Sequence, residues 1–117
     1  MNTPSLSLSI GAAAMRSHAG DAAGLLKALA NERRLMILCL LAEGERPVHE
    51  INEMVDLSQS ALSQHLAVLR DQGLVRTRRE AQAVYYSIEP GPAFEVIRTL
   101  HRIYCAPGPR GRTKRGP

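Results

Sequence analysis

Tryptophan is absent from this 117-residue chain, which also has one phenylalanine and three tyrosines. A core must therefore be filled by Leu, Ile, Val and Ala. No apolar run approaches the roughly 18 residues of a membrane span. The first 14 residues hold no basic residue to open a secretory leader, and Ser and Pro interrupt their apolar stretch. Both absences point to a cytoplasmic protein without a membrane role. Cysteine is scarce: only Cys39 and Cys105 occur, with no Cys-x-x-Cys or Cys/His finger spacing, so a structural zinc finger is excluded. Thiols in the cytosol are normally reduced, so the pair needs a purpose other than permanent cross-linking. Nothing marks an enzyme or a cofactor site: there is no Gly-x-Ser-x-Gly turn, no phosphate-binding glycine loop and no pair of carboxylates in a plausible cleft.

A large charge excess is missing as well, despite a formal net charge of +4. Arg110, Arg112, Lys114 and Arg115 account for all of it. The other eleven basic residues balance the eleven acidic ones. A nucleic-acid partner would have to be recognised by where charges lie on a nearly neutral body.

What is present is one domain's worth of helical pattern. Residues 1–15, with Pro4 and Gly11, read as a flexible start. Residues 16–106 read as the folded body, and 107–117 as a basic tail disordered by composition. Helical periodicity begins near Ala12 and runs to Ala30, with Leu25, Leu26 and Leu29 as its stripe. Asn31 is a good N-cap for a helix over 32–42. That helix is apolar almost all round, as a helix covered by neighbours would be. Pro47 suits the opening of a short helix over 48–55. Ser58 caps a helix running to about Gln72, and Gly73 sits where a left-handed residue closes a helix. The period then falls to 2, over 74–78 and 83–88, which predicts a hairpin with a basic tip at 79–82. After Pro90-Gly91-Pro92 a last helix, 93–105, shows a wide apolar face. The fold expected is mainly α with a small β-hairpin: five helices and a two-stranded wing.

The helix after Ser58 has two unlike faces. Ala61, Leu62, His65, Leu66 and Leu69 fall on one side, Gln59, Ser60, Ser63, Gln64, Ala67 and Arg70 on the other. A merely solvated face usually carries Lys and Glu. Ser and Gln instead approach base edges and bond them directionally. Arg70, Arg78 and Arg79 add candidate phosphate contacts, with Arg76 beside them. The short preceding helix and tight turn complete a winged helix-turn-helix over roughly 46–88. His65, on the inward side, reads as a packed or locally bonded histidine rather than a ligand.

Three segments carry a family resemblance: Leu26 to Leu35, Leu57 to Arg70, and Gly73-Leu74-Val75. They resemble the ArsR/SmtB repressors over about residues 20–105. The resemblance implies a winged-helix homodimer on double-stranded operator DNA. Its first and last helices would form the interface, and Gln59, Ser60, Ser63 and Gln64 would contact bases. Many members bind metals. Their Cys-x-Cys pair is missing here, where Pro47-Val48-His49-Glu50 stands, and Glu95 and His101 do not match the Asp/His pattern of the last-helix site. A metal-responsive repressor is the alternative, and Cys39, His101 and Cys105 would be its only ligands, with no fourth. The surroundings of Cys39 and Cys105, and the wing residues 78–82, resemble instead the persulfide-responsive sub-group of the BigR, SqrR and HlyU type. That similarity implies a reversible switch. One thiolate attacks a persulfide effector and the other resolves it, leaving a disulfide or polysulfide bridge that releases DNA. His101 and Arg102 near Cys105 make that thiol the expected first attacker.

Overall fold

The computed structural model describes residues 11–105. Residues 1–10 and the basic tail lie outside the described residues. Where one helix was expected from Ala12 to Ala30, the chain forms α1 (Ala12–Arg16) and α2 (Ala19–Leu29). Ser17 interrupts them: its hydroxyl donates to the Ala14 carbonyl at 3.2 Å, a local bond that competes with the helix. Among the described residues there are therefore six helices rather than five, and α1 crosses the boundary expected at residue 15.

Helix α3 (Glu32–Glu43) starts where Asn31 caps it, its Oδ1 accepting from the backbone N–H of Arg33 and Arg34 at 3.0 and 3.1 Å. Strand β1 (Arg46–Pro47) leads into α4 (Val48–Val55). The turn that follows is held by Asn52, whose amide donates to the Leu57 carbonyl at 2.7 Å, with Asp56 at φ 52°. Helix α5 (Gln59–Asp71) opens on the Ser58 hydroxyl, which accepts from the Ala61 N–H at 3.1 Å. Gly73, at φ 71°, closes it. The Gly73 N–H donates to the Arg70 carbonyl and the Leu74 N–H to the Leu69 carbonyl, both at 2.9 Å. This paired closure needs a left-handed residue, and the buried Leu74 and Leu69 pack beside it.

Strands β2 (Val75–Glu80) and β3 (Ala83–Ile88) form the hairpin, and α6 (Pro92–Tyr104) ends the described chain. The turn is two residues, Ala81-Gln82, so Arg79 and Glu80 belong to β2 and not to a four-residue tip. The sheet has three antiparallel strands in the order β1-β3-β2, with Arg46 opposite Tyr86 and Pro47 opposite Tyr85. The third strand was missed because two residues show no period. Proline is tolerated there because β1 is an edge.

Helix α3 is the centre of the molecule. Its Ile37, Leu38 and Leu41 are fully buried, together with Ile51 of α4 and Leu62 and Leu69 of α5. The helix-turn-helix and the wing are thus both mounted on α3. Among the described residues no helix is long and apolar enough to cross a membrane.

Candidate DNA interface and thiol pair

On α5 the two faces separate as expected. Leu62, Leu66 and Leu69 are buried, while Gln59, Ser60, Ser63 and Gln64 are exposed. The buried side is held by Arg34 of α3. Its guanidinium donates to the carbonyls of Ala28 at 2.6 Å and Lys27 at 3.4 Å, and lies 3.2 Å from His65 Nδ1. A guanidinium only donates, so Nδ1 must accept and the imidazole is neutral. Burial first, then the charges of Arg34 and Arg33, hold His65 below its ordinary pKa. The unfolded chain therefore takes up this proton first as pH falls. The contribution to stability is complete above about pH 6.5 and is lost as pH drops below it. The denaturant midpoint should fall between pH 7 and pH 5, and His65→Gln should flatten that decline. An equal decline in the variant would remove His65 from the account.

The wing arginines are not equivalent. Arg76 pairs with Glu89 at 3.0 Å. Arg78 makes a two-pronged bond to Glu45, at 2.7 and 3.0 Å, a third to Glu80 at 2.7 Å, and lies 4.6 Å over the Tyr85 ring. These bonds push the Arg78 guanidinium's pKa up, and the hydrogen bond from Arg78 holds the Glu45 carboxyl below its usual range. Arg79 makes no ion pair among the described residues. Arg70 donates to the Tyr86 hydroxyl at 2.6 Å. A groove of about 630 Å³ runs between α4, the start of α5 and the wing tip. Gln59 and Gln82 both line it, so the start of α5 and the wing tip share one concavity.

The two cysteines, both free thiols, lie on packed helices: Cys39 half-buried in α3, Cys105 exposed just past α6. The Cys105 N–H donates to the His101 carbonyl at 2.7 Å, which fixes the end of α6. Burial first, then the Cys105 thiol and Glu43, push the Cys39 thiol up. Beside Cys39 is a pocket of about 270 Å³, bounded by Glu43 and by Phe94, Ile97 and His101 of α6. Among the described residues no three His, Cys, Asp or Glu side chains are grouped to hold a metal, so Cys39, His101 and Cys105 do not form such a set.

Residues 31–77 match the family model described as bacterial regulatory protein, arsR family. The transcriptional activator HlyU of Vibrio cholerae is 53% identical over 91 residues, spanning 78% of this chain and 84% of that protein. The chain belongs to the ArsR family. It is a DNA-binding transcriptional regulator with a winged helix-turn-helix, not an enzyme.

Solved structures of similar proteins superpose on it. Reduced HlyU from Vibrio cholerae gives a TM-score of 0.75 at 52% identity, covering 80% of this chain and 98% of that one. The transcriptional repressor BigR from Xylella fastidiosa gives 0.74 at 38%, covering 81% and 97%. A homodimeric winged helix-turn-helix domain from Mycobacterium bovis gives 0.69 at 32%, covering 82% and 89%.

Arg34, Glu45, Arg46 and Tyr86 carry no mark in the sequence of this ArsR-family chain that singles them out as functional. Each is fixed by a partner distant in sequence or by a strand too short to detect. The pattern of charges alone could have suggested Glu45 with Arg78, but no local period ties them.

Proposed function

We propose that this regulator represses transcription as a homodimer on operator DNA, and lets go when reactive sulfur joins Cys39 to Cys105. The observation that carries the reading is that the two free thiols sit on elements packed against each other, Cys39 in α3 and Cys105 just past α6. The chemistry balances with a persulfide as oxidant. The Cys105 thiolate takes the outer sulfur of the persulfide and a thiol leaves. Cys39, as thiolate, then attacks the Cys105 sulfur and expels hydrosulfide, closing a disulfide. If both thiols are first persulfidated, the same displacement closes a trisulfide. A longer bridge relaxes the limit of about 7 Å between Cα atoms that a simple disulfide imposes. The test is the protein's mass after persulfide treatment. Loss of both free thiols, any added mass coming in multiples of one sulfur atom, all reversed by a reductant, supports the bridge. Two separate modifications with no cross-link exclude it.

Base reading is assigned to Gln59, Ser60, Ser63 and Gln64, with Arg70, Arg78 and Arg79 toward phosphate. Ser63→Ala or Gln64→Ala should cost about 1–3 kcal/mol on the operator and little on random duplex. Arg79→Gln should weaken both and lower the salt slope by about 0.9 per lost contact. Arg78→Gln should change the slope less, because its charge is already matched by Glu45 and Glu80. Titrations at several salt concentrations check this. Unchanged operator affinity in both α5 variants would remove the assignment.

A further inference from the structure

We propose that Arg46 is a positioning residue that couples the thiol-bearing turn of α3 to the reading helix α5 through Tyr86 and Arg70. The proposal rests on the thiol-switch reading above.

Each step is a directional contact. Arg46 Nε donates to the Leu40 carbonyl at 3.2 Å, and Leu40 directly follows Cys39. The same guanidinium donates to Glu43, also on α3, at 2.7 Å and to Glu50 of α4 at 3.1 Å. The Arg46 side chain is only 20% exposed, so these bonds are partly shielded from water. One planar fork thus fastens the last turns of α3 to the start of the helix-turn-helix. In the sheet, Arg46 of β1 lies opposite Tyr86 of β3. Tyr86 is buried, and its hydroxyl accepts from Arg70 in the last turn of α5 at 2.6 Å.

The run from the Leu40 carbonyl to Arg70 is therefore continuous: hydrogen bond, strand pairing, hydrogen bond. Hydrogen bonds weaken steeply with distance and angle, whereas apolar packing slides. A bridge to Cys105 pulls on the turn that carries Cys39 and Leu40. Arg46 either follows that turn, taking β1 with it, or loses its bond. Motion of β1 reaches β3, and Tyr86 carries it to the C-terminal end of α5. The neighbouring Glu45 extends the same segment to the wing through Arg78. Residues 43–46 thereby meet the wing directly and reach α5 through Tyr86.

The discriminating variant is Tyr86→Phe, which keeps the ring and removes only the hydroxyl link. Arg46→Lys, which keeps the charge and loses the fork, is the second. Operator affinity is measured for each before and after persulfide treatment, with bridge formation followed by mass. Wild type should lose affinity roughly ten- to hundredfold. The variants should still form the bridge, yet lose less than about threefold. A purely structural role would lower affinity equally in both states and leave that ratio at the wild-type value. Bridged variants that release DNA as fully as wild type overturn the coupling alone. Wild type that forms no bridge, or keeps its affinity when bridged, overturns the thiol switch and the coupling with it.

Discussion

Placing one charge on the exposed end of α6, as Ile103→Glu, should convert the protein to a monomer and weaken operator binding by at least about a hundredfold. Ile103 is 62% exposed and Tyr104 79%, and Leu26 and Met15 of the N-terminal helices are exposed as well. Exposed large apolar residues on both the N-terminal helices and α6 are what a self-complementary interface offers. An interface between first and last helices would set two copies of α5 about 34 Å apart, one turn of duplex. The second half-site then binds at the high effective concentration of a tethered pair, and that advantage, about 10²–10⁴, disappears with the dimer. The choice of position matters. Ile97, on the apolar face of the same helix, is the wrong site because it is 4% exposed, inside the subunit's own core. A charge there would unfold the chain and say nothing about assembly. Sedimentation at micromolar concentration, thermal melting and an operator titration together check the prediction. A monomeric wild type, or an Ile103→Glu dimer of full affinity, would refute it.

Cys39→Ser and Cys105→Ser should each bind operator as the reduced wild type does and stay bound after persulfide treatment. Wild type should lose about 1.4–3 kcal/mol, which is roughly ten- to hundredfold. The expectation follows from linkage. A bridge ties α3, on which the reading helix and wing are mounted, to α6, which carries the exposed apolar residues of the proposed interface. Packed interfaces change between discrete arrangements instead of stretching, so a small constraint there alters the spacing of the reading helices. The two serine variants separate the bridge from modification of one thiol. A variant that still releases DNA replaces the bridge with a simple adduct on its remaining cysteine. A further distinction lies in rate: the thiol of Cys39 is pushed up by burial, Cys105 and Glu43, so Cys39→Ser should leave the first sulfur transfer to Cys105 nearly unslowed.

Local signals in the sequence were reliable wherever one residue decides the backbone. Asn31 and Ser58 cap as their side chains require, Gly73 takes the left-handed conformation that closes α5, and the nearly all-apolar α3 is the centre of the core. The division of α5 into buried and exposed faces was legible for the same reason: helical period alone sets it. What escaped depends on contacts far along the chain. The break at Ser17 turns on one hydroxyl choosing a carbonyl, and β1 exists only because β3 lies beside it. The wing arginines looked alike because a sequence shows charges without their partners. Glu45 is 33 positions from Arg78, and Tyr86 is 16 from Arg70, so neither pairing has a period to reveal it.

The carboxylates facing the wing bear on how the protein is distributed along a genome. With Arg76 held by Glu89 and Arg78 by Glu45 and Glu80, the wing has few bare cations to displace the ions condensed on duplex DNA. Non-specific affinity rises steeply with the number of such displacements, and the described body has little net charge to add. Random sequence outnumbers any operator by about 10⁶–10⁹ sites and would otherwise sequester the pool. A wing muted in this way would keep more copies free in solution, to be captured by the few sites that fit the base contacts proposed for Gln59, Ser60, Ser63 and Gln64.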